Sequence, residues 1–455
     1  EKDMSIKILL WYDVEDYITT ESEDALLELI KMMDLRDIRG TFKLVGEKVR
    51  RLKEHGRTDI LERLKRHEIG YHTDFHSQHP VVSEYLEHSG FKDGAIEFER
   101  RELQGLKDII NITGMMPVTY GQPGSAWAPQ VYPALLKWDI HVYLDVYDFI
   151  SVDKKPFWFG GVLNITDPQG VLRMELVEDG LEKAKRSYDI LYEKAPEDRT
   201  EIVSIYYHPC EFATKDFWDK YNFSYGINTP EEKWKKPPLR SKEEMRFYIE
   251  RLGDFLDYII SKGDVDFVTA GKILHYEIKN ETPVTGEEVK RLASNIYNEL
   301  SFDISDNRTL SASEIFSIFS RYLNGQELTP ELIYGPENQV DTEVNERINV
   351  HKLIEATNIE YPDVFGYKQL PDYFITDKGR INPLDMTCTL ARIIREDLGG
   401  DDEISIIRGT LKSSHYINED DNLGKKWIIF PTEFRAPNII RIAKLQSWTL
   451  KPAIF

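Results

Sequence analysis

The chain has 455 residues, 41% apolar and 30% charged, ordinary proportions for a soluble globular protein with room for more than one core. A formal net charge of −21 sets it against phosphate backbones and anionic lipid, so nucleic acid and membrane surfaces are poor partners, while a neutral or partly cationic polymer is compatible. The two cysteines, Cys210 and Cys388, are too few and too far apart for a zinc ribbon or a disulfide framework, and no apolar run approaches the ~20 residues of a membrane span.

Ile6–Tyr12 (IKILLWY) reads as a buried strand, and Ser22–Leu35 as a helix with leucines and methionines at three-to-four-residue spacing. Gly40–Val45 (GTFKLV) reads as a second strand and Glu47–Arg66 as a charged helix. Glu68–His72, Met116–Tyr120, Ile140–Leu144, Ile202–Tyr207 and Asp266–Thr269 follow as strands separated by helical material. Strands alternating with helices predict parallel βα units, and seven of them fit a (β/α) barrel better than a short open sheet. The polar stretch Lys279–Gly286 reads as a linker, dividing the chain into a barrel over 1–280 and a smaller C-terminal domain over 285–455. Beyond it, Glu287–Leu300 looks helical, Ser311 and Glu314 have capping-box spacing, and Trp427–Phe430 has strand character.

Four ionisable residues stand at strand exits: Asp13 after IKILLWY, His72 after EIGY, Asp145 after IHVYL and His208 after IVSIYY. In a parallel barrel the C-terminal strand ends share one face, so these residues converge in space. His72 and His76 are four apart, and one helical turn would put both imidazoles on the same side. Two imidazoles and a carboxylate form a common shell for a divalent ion, with zinc favoured among the transition metals. In Asp13-Val14-Glu15-Asp16 an extended backbone points Asp13 and Glu15 to one face, so that one can bind the ion and the other can take a proton from water. Asp16 is the odd one out and a candidate helix cap. His79, before Pro80, reads as structural or site-lining. Trp127 and the aromatic run 217–234 suit sugar faces, although core packing is the stronger reading for them and for Trp448.

These stretches, YDVEDY at 12–17, IRGTFKLVGEKVRR at 38–51, HEIGYHTDFHSQHP at 67–80 and IVSIYYHP at 202–209, resemble the polysaccharide deacetylases, metal-dependent carbohydrate esterases of the chitooligosaccharide and peptidoglycan deacetylase type. The resemblance covers about the first 275 residues and implies a distorted (β/α) barrel. It implies Asp13 as catalytic base, Glu15, His72 and His76 as metal ligands, His208 as general acid, and Asp145, with Asp148 as runner-up, as the carboxylate orienting that histidine. It further implies a zinc-type divalent cofactor and an N-acetylated saccharide or polysaccharide substrate, from which the N-acetyl group is hydrolysed. Two departures stand out. Glu15 occupies a position where the family usually has Asp. The third motif, which normally opens with an Arg paired to the base, has Gly121 or Gln122 in that place, within TYGQPGSAW. That gap makes a weak or inactive glycan-binding protein on the same fold the alternative expectation. The absence of a G-x-S-x-G elbow leaves serine hydrolysis without support. The chain opens on Glu; if a leader has been removed, the expected location is outside the cytoplasm, periplasmic or secreted.

Overall fold

A computed structural model describes residues 6–165, 172–197 and 199–455. Its centre is a curled sheet of the expected strands: β1 (Ile6–Val14), β2 (Thr41–Leu44), β3 (Glu68–Tyr71), β4 (Thr119–Tyr120), β5 (Val142–Leu144), β8 (Glu201–Tyr207) and β9 (Val265–Val268). Two strands not anticipated, β6 (Phe157–Phe159) and β7 (Val162–Ile165), form an antiparallel hairpin that joins the sheet through β5. The order runs β6-β7-β5-β4-β3-β2-β1-β8, with β9 also paired to β1. From β7 to β8 every neighbouring pair is parallel. Helices such as Glu21–Asp34, Phe91–Thr113 and Lys242–Lys262 surround it, giving a distorted, incompletely closed (β/α) barrel.

Side-chain parity explains how the sequence makes this barrel. All nine residues of β1 are buried, because both faces are covered. Ile6, Ile8, Leu10, Tyr12 and Val14 pack outward with Leu26, Leu29, Ile30 and Met33 of the first helix. Leu9 and Trp11 point inward, where they meet Val142, Leu144, Leu163 and Val268. Successive side chains on a strand alternate between faces, so Asp13 shares the inward direction of Leu9 and Trp11.

The charged segment expected as one helix over 47–66 is two, Gly46–Glu54 and Thr58–Leu64, broken where Gly56 adopts a left-handed φ of +68°. The Ser311 cap forms as expected, its Oγ accepting the Glu314 N–H while Glu314 accepts the Ser311 N–H.

Beyond the linker, Val289, Leu292, Phe316, Leu353, Phe374 and Leu390 build a core of their own. The chain does not stay there. Ile417, Leu423, Phe430, Ile439, Ile442 and Leu450 are buried in the barrel's core, and the short strand Lys451–Pro452 pairs antiparallel with β6. Residues 285–455 therefore do not share a single core, because much of their last forty or so residues is buried with the barrel. Trp427–Phe430, expected as a strand, is a turn: the Phe430 N–H bonds the Trp427 carbonyl at 3.1 Å, while Ile428 and Ile429 give their carbonyls to Tyr225 and Gly226. No helix among the described residues is long and apolar enough to cross a membrane.

Candidate metal and catalytic site

The inward parity of the strands delivers the site. Asp13 is the last inward residue of β1, before Val14, and Glu15 lies just past the strand; Lys43 is inward on β2, His72 follows β3, and His208 follows β8. A cavity of about 330 Å³ opens among Asp13, Glu15, Lys43, His76 and His208.

Glu15, His72 and His76 are buried, and one ligand atom from each lies within 4.8 Å of the others. Glu15 Oε2 stands 2.7 Å from His76 Nε2 and 3.5 Å from His72 Nε2. The opposite ring nitrogens are already committed. His72 Nδ1–H donates to the Gly121 carbonyl at 2.8 Å. His76 Nδ1 bonds the hydroxyl of Ser77, which itself donates to Asp219 at 2.8 Å and therefore accepts from the ring. Both imidazoles thus carry the proton on Nδ1 and present the Nε2 lone pair. Neither buried Nε2 has a hydrogen-bond partner, although buried polar atoms almost always find one. This donor set, two neutral imidazoles and a carboxylate, fits a zinc-like divalent cation.

The two histidines converge for a different reason from the one expected. Residues 72–79 are not helical; Thr73 and His76 take left-handed φ values of +65° and +57°, and the His76 N–H bonds Thr73 Oγ1 at 3.2 Å. A tight turn, rather than one turn of helix, brings the rings to 5.0 Å between centroids. Asp74 inside this turn faces away and pairs with Arg50 at 2.6 Å. Asp16 is likewise no ligand, since its Oδ1 accepts the N–H groups of Ile18 and Thr19 ahead of the first helix. His79 is structural, bridging Glu84 and the Phe223 carbonyl.

Asp13 sits beside the triad, its Oδ2 3.6 Å from His72 Nε2, and its Oδ1 is 3.1 Å from the Lys43 ammonium. Across the cavity, His208 Nε2 is 3.8 Å from both Asp13 Oδ2 and Glu15 Oε2. Burial alone would discharge His208, but Glu15 and then Glu211 outweigh it and hold its pKa up at about 9. Burial likewise opposes ionisation of Glu211, yet His208 and Arg173 draw its pKa down to about 2.

The carboxylate that orients His208 is Glu211, not Asp145 or Asp148. Glu211 Oε2 lies 3.0 Å from His208 Nδ1 and also accepts the His208 N–H at 2.8 Å, because the short helix Pro209–Ala213 turns it back onto the residue that caps the helix. Asp145 lines the cavity and accepts the Tyr147 N–H, while burial raises its pKa to about 6. Asp148 pairs with Lys426 at 2.7 Å.

Four further residues escaped the sequence reading. Trp218 donates to Glu15 Oε1 at 3.2 Å, and Asp219 anchors Ser77. Both lie in the aromatic run whose packing role looked dominant, so part of that run belongs to the site. Lys43 carried a local signal, a cation inside an apolar strand. Trp427 carried none; it reaches the cavity from the far end of the chain. Trp127, by contrast, is fully buried and stacked on Phe149, as the packing reading expects.

No protein-family model matches the chain, and no curated protein matches it. Among solved structures it is similar to a "probable polysaccharide deacetylase" from Pseudomonas aeruginosa PAO1, at 15% identity and a TM-score of 0.39, over 60% of this chain and 91% of that one. It is similar also to a CE4 esterase of Streptococcus mutans (11%, 0.33, over 59% and 87%). A third is the CE4 domain of a multidomain xylanase from the hindgut metagenome of Trinervitermes trinervoides (11%, 0.31, over 59% and 89%). The resemblance read from the motifs recurs here as a likeness of fold at low identity. With TM-scores below 0.5, nothing about the chemistry of this chain rests on it.

Proposed function

We propose that the protein is a metal-dependent hydrolase of the polysaccharide deacetylase type, removing N-acetyl groups from a saccharide. The observation that carries this reading is the pair of partnerless buried Nε2 atoms facing Glu15, with a separate carboxylate, Asp13, and a cationic imidazole, His208, on the same cavity. Glu15, His72 and His76 would hold the cation. Once bound, it would supply Lewis-acid stabilisation of the developing oxyanion and acidify water.

The remaining work falls to side chains. Asp13 Oδ2 is the atom that takes a proton from water attacking the acetyl carbonyl, since Oδ1 is turned to Lys43. His208, kept charged by its carboxylate neighbours, gives a proton to the departing amine as the C–N bond breaks, leaving acetate and a free amino sugar. Glu211 holds the ring in register for that transfer. The non-catalytic alternative rested on a base without a cation beside it; Lys43 weakens that ground.

The test is acetate release from N-acetylated chitooligosaccharides by the zinc-loaded protein. Release that disappears in H72A/H76A supports the proposal. A fully metal-loaded protein that frees no acetate from any N-acetyl saccharide overturns it.

A further inference from the structure

Of the two positions at which the third motif would carry an Arg, Gly121 is sterically closed. A Cβ placed on Gly121 would lie 1.7 Å from the Leu144 carbonyl oxygen and 2.0 Å from Lys43 Nζ, so no side chain of any kind fits there. Gln122 cannot substitute, because its amide is already committed, donating to the Gly124 carbonyl of its own loop and accepting from the Tyr143 hydroxyl of β5. The volume that a side chain at 121 would need is filled by the end of Lys43.

Lys43 is held on every side. In the parallel pairing of β1 with β2 it is the register partner of Asp13. Its ammonium donates to the Leu144 carbonyl, sits 4.5 Å from the Trp11 ring centroid, and reaches Asp13 Oδ1 at 3.1 Å. The two side chains are only 2% and 7% exposed, so neither solvent nor salt screens the pair.

We propose that Lys43 is the positioning residue for Asp13, delivering from β2 the positive charge that the third motif does not carry, and that it keeps Asp13 off the cation so that the carboxylate stays available as a base. The catalytic half of this statement rests on the deacetylase reading of the site; the coordination half does not. Asp13 Oδ2 is 3.6 Å from His72 Nε2, and one of its oxygens falls within a ligand-sized cluster with Glu15 and His208. Released from Lys43, it is placed to become a further ligand.

The experiment compares wild type, K43M and K43Q after loading with Co(II), whose d–d absorption weakens as coordination number rises, and measures acetate release by the zinc forms. K43Q retains an amide that can donate to the Leu144 carbonyl, should the apolar replacement not fold. The expected result is one cobalt per chain throughout, weaker visible bands in the variants, and kcat lower by about a hundredfold with KM nearly fixed. The loss should vanish in a D13N background, because Lys43 acts through that carboxylate. Folded variants with the wild-type cobalt spectrum and kcat overturn the proposal, as does a K43M loss of the same size in D13N. If no N-acetyl saccharide is cleaved by the wild type, the deacetylase reading fails while the cobalt spectra still decide the role of Lys43.

Discussion

The indole of Trp427 meets the ring of His76 edge-on, with centroids 5.8 Å apart. His76 comes from the turn after β3 and Trp427 from the final forty residues, so the C-terminal segment forms part of the wall of the candidate metal site. Gly124 lies under the same indole: a Cβ there would fall 2.4 Å from it, on a backbone already at φ +47°. Trp427→Ala is expected to raise KM about tenfold while leaving metal content at the wild-type level, and Gly124→Ala to act in the same direction by displacing the indole. Steady-state kinetics with parallel metal analysis checks both.

That covering segment also bears on stability. Ile417, Phe430, Ile439, Ile442 and Leu450 are each no more than 3% exposed, and large core side chains are worth about 2–5 kcal/mol apiece. A chain ending at residue 411 is expected to aggregate or to lack a cooperative melting transition instead of yielding a free barrel. Calorimetry of the truncated chain would show which.

The proposed ligand set separates Asp13 on β1 from Glu15 just beyond it. Glu15→Gln and the His72→Ala/His76→Ala pair should each lose the cation, whereas Asp13→Asn should keep it and lose at least about a hundredfold in kcat. Asp219→Asn, which loosens Ser77 and through it His76 Nδ1, should weaken metal affinity by about 10–100-fold. Titration against a competing chelator measures all four.

Glu211→Gln should lower kcat by about a hundredfold, because His208 loses the anionic partner of its Nδ1, and with it part of the charge that keeps it protonated. Asp145→Asn should cost distinctly less, as its carboxylate is bonded to the Tyr147 N–H instead. Equal losses in the two variants would return the orienting role to Asp145.

Away from the site, Glu102 is buried beneath Tyr71 and Asp74, accepting the Tyr71 hydroxyl and the Asp74 N–H, and burial pushes its pKa up from 4.5 to about 7. A carboxyl whose folded value is raised stabilises the protein fully below its unfolded value, and this contribution is lost as pH rises through the folded one. The window is therefore about pH 4.5 to 7, worth on the order of 3 kcal/mol. Denaturant melts between pH 5 and 8 should show a shallower decline in Glu102→Gln than in the wild type.

Much of the barrel and half of the site are written locally. Apolar runs followed by Asp13, His72 and His208 announce strands with polar exits, and a period of two decides that Asp13 and Glu15 share a face. The same parity applied to GTFKLV puts Lys43 inward, but only the register of β1 against β2 makes Asp13 its partner. The return of Glu211 onto His208 is a local contact between residues three apart, but the close approach of the Leu144 carbonyl to Gly121 and the arrival of Trp427 over His76 were decided by tertiary structure. Both of the latter depend on how separate segments cross, and composition near either partner holds no record of that. What the sequence determined alone is which residues stand at the mouth of the barrel; which of them hold, orient or cover one another follows from strand register and from the path of the last forty residues.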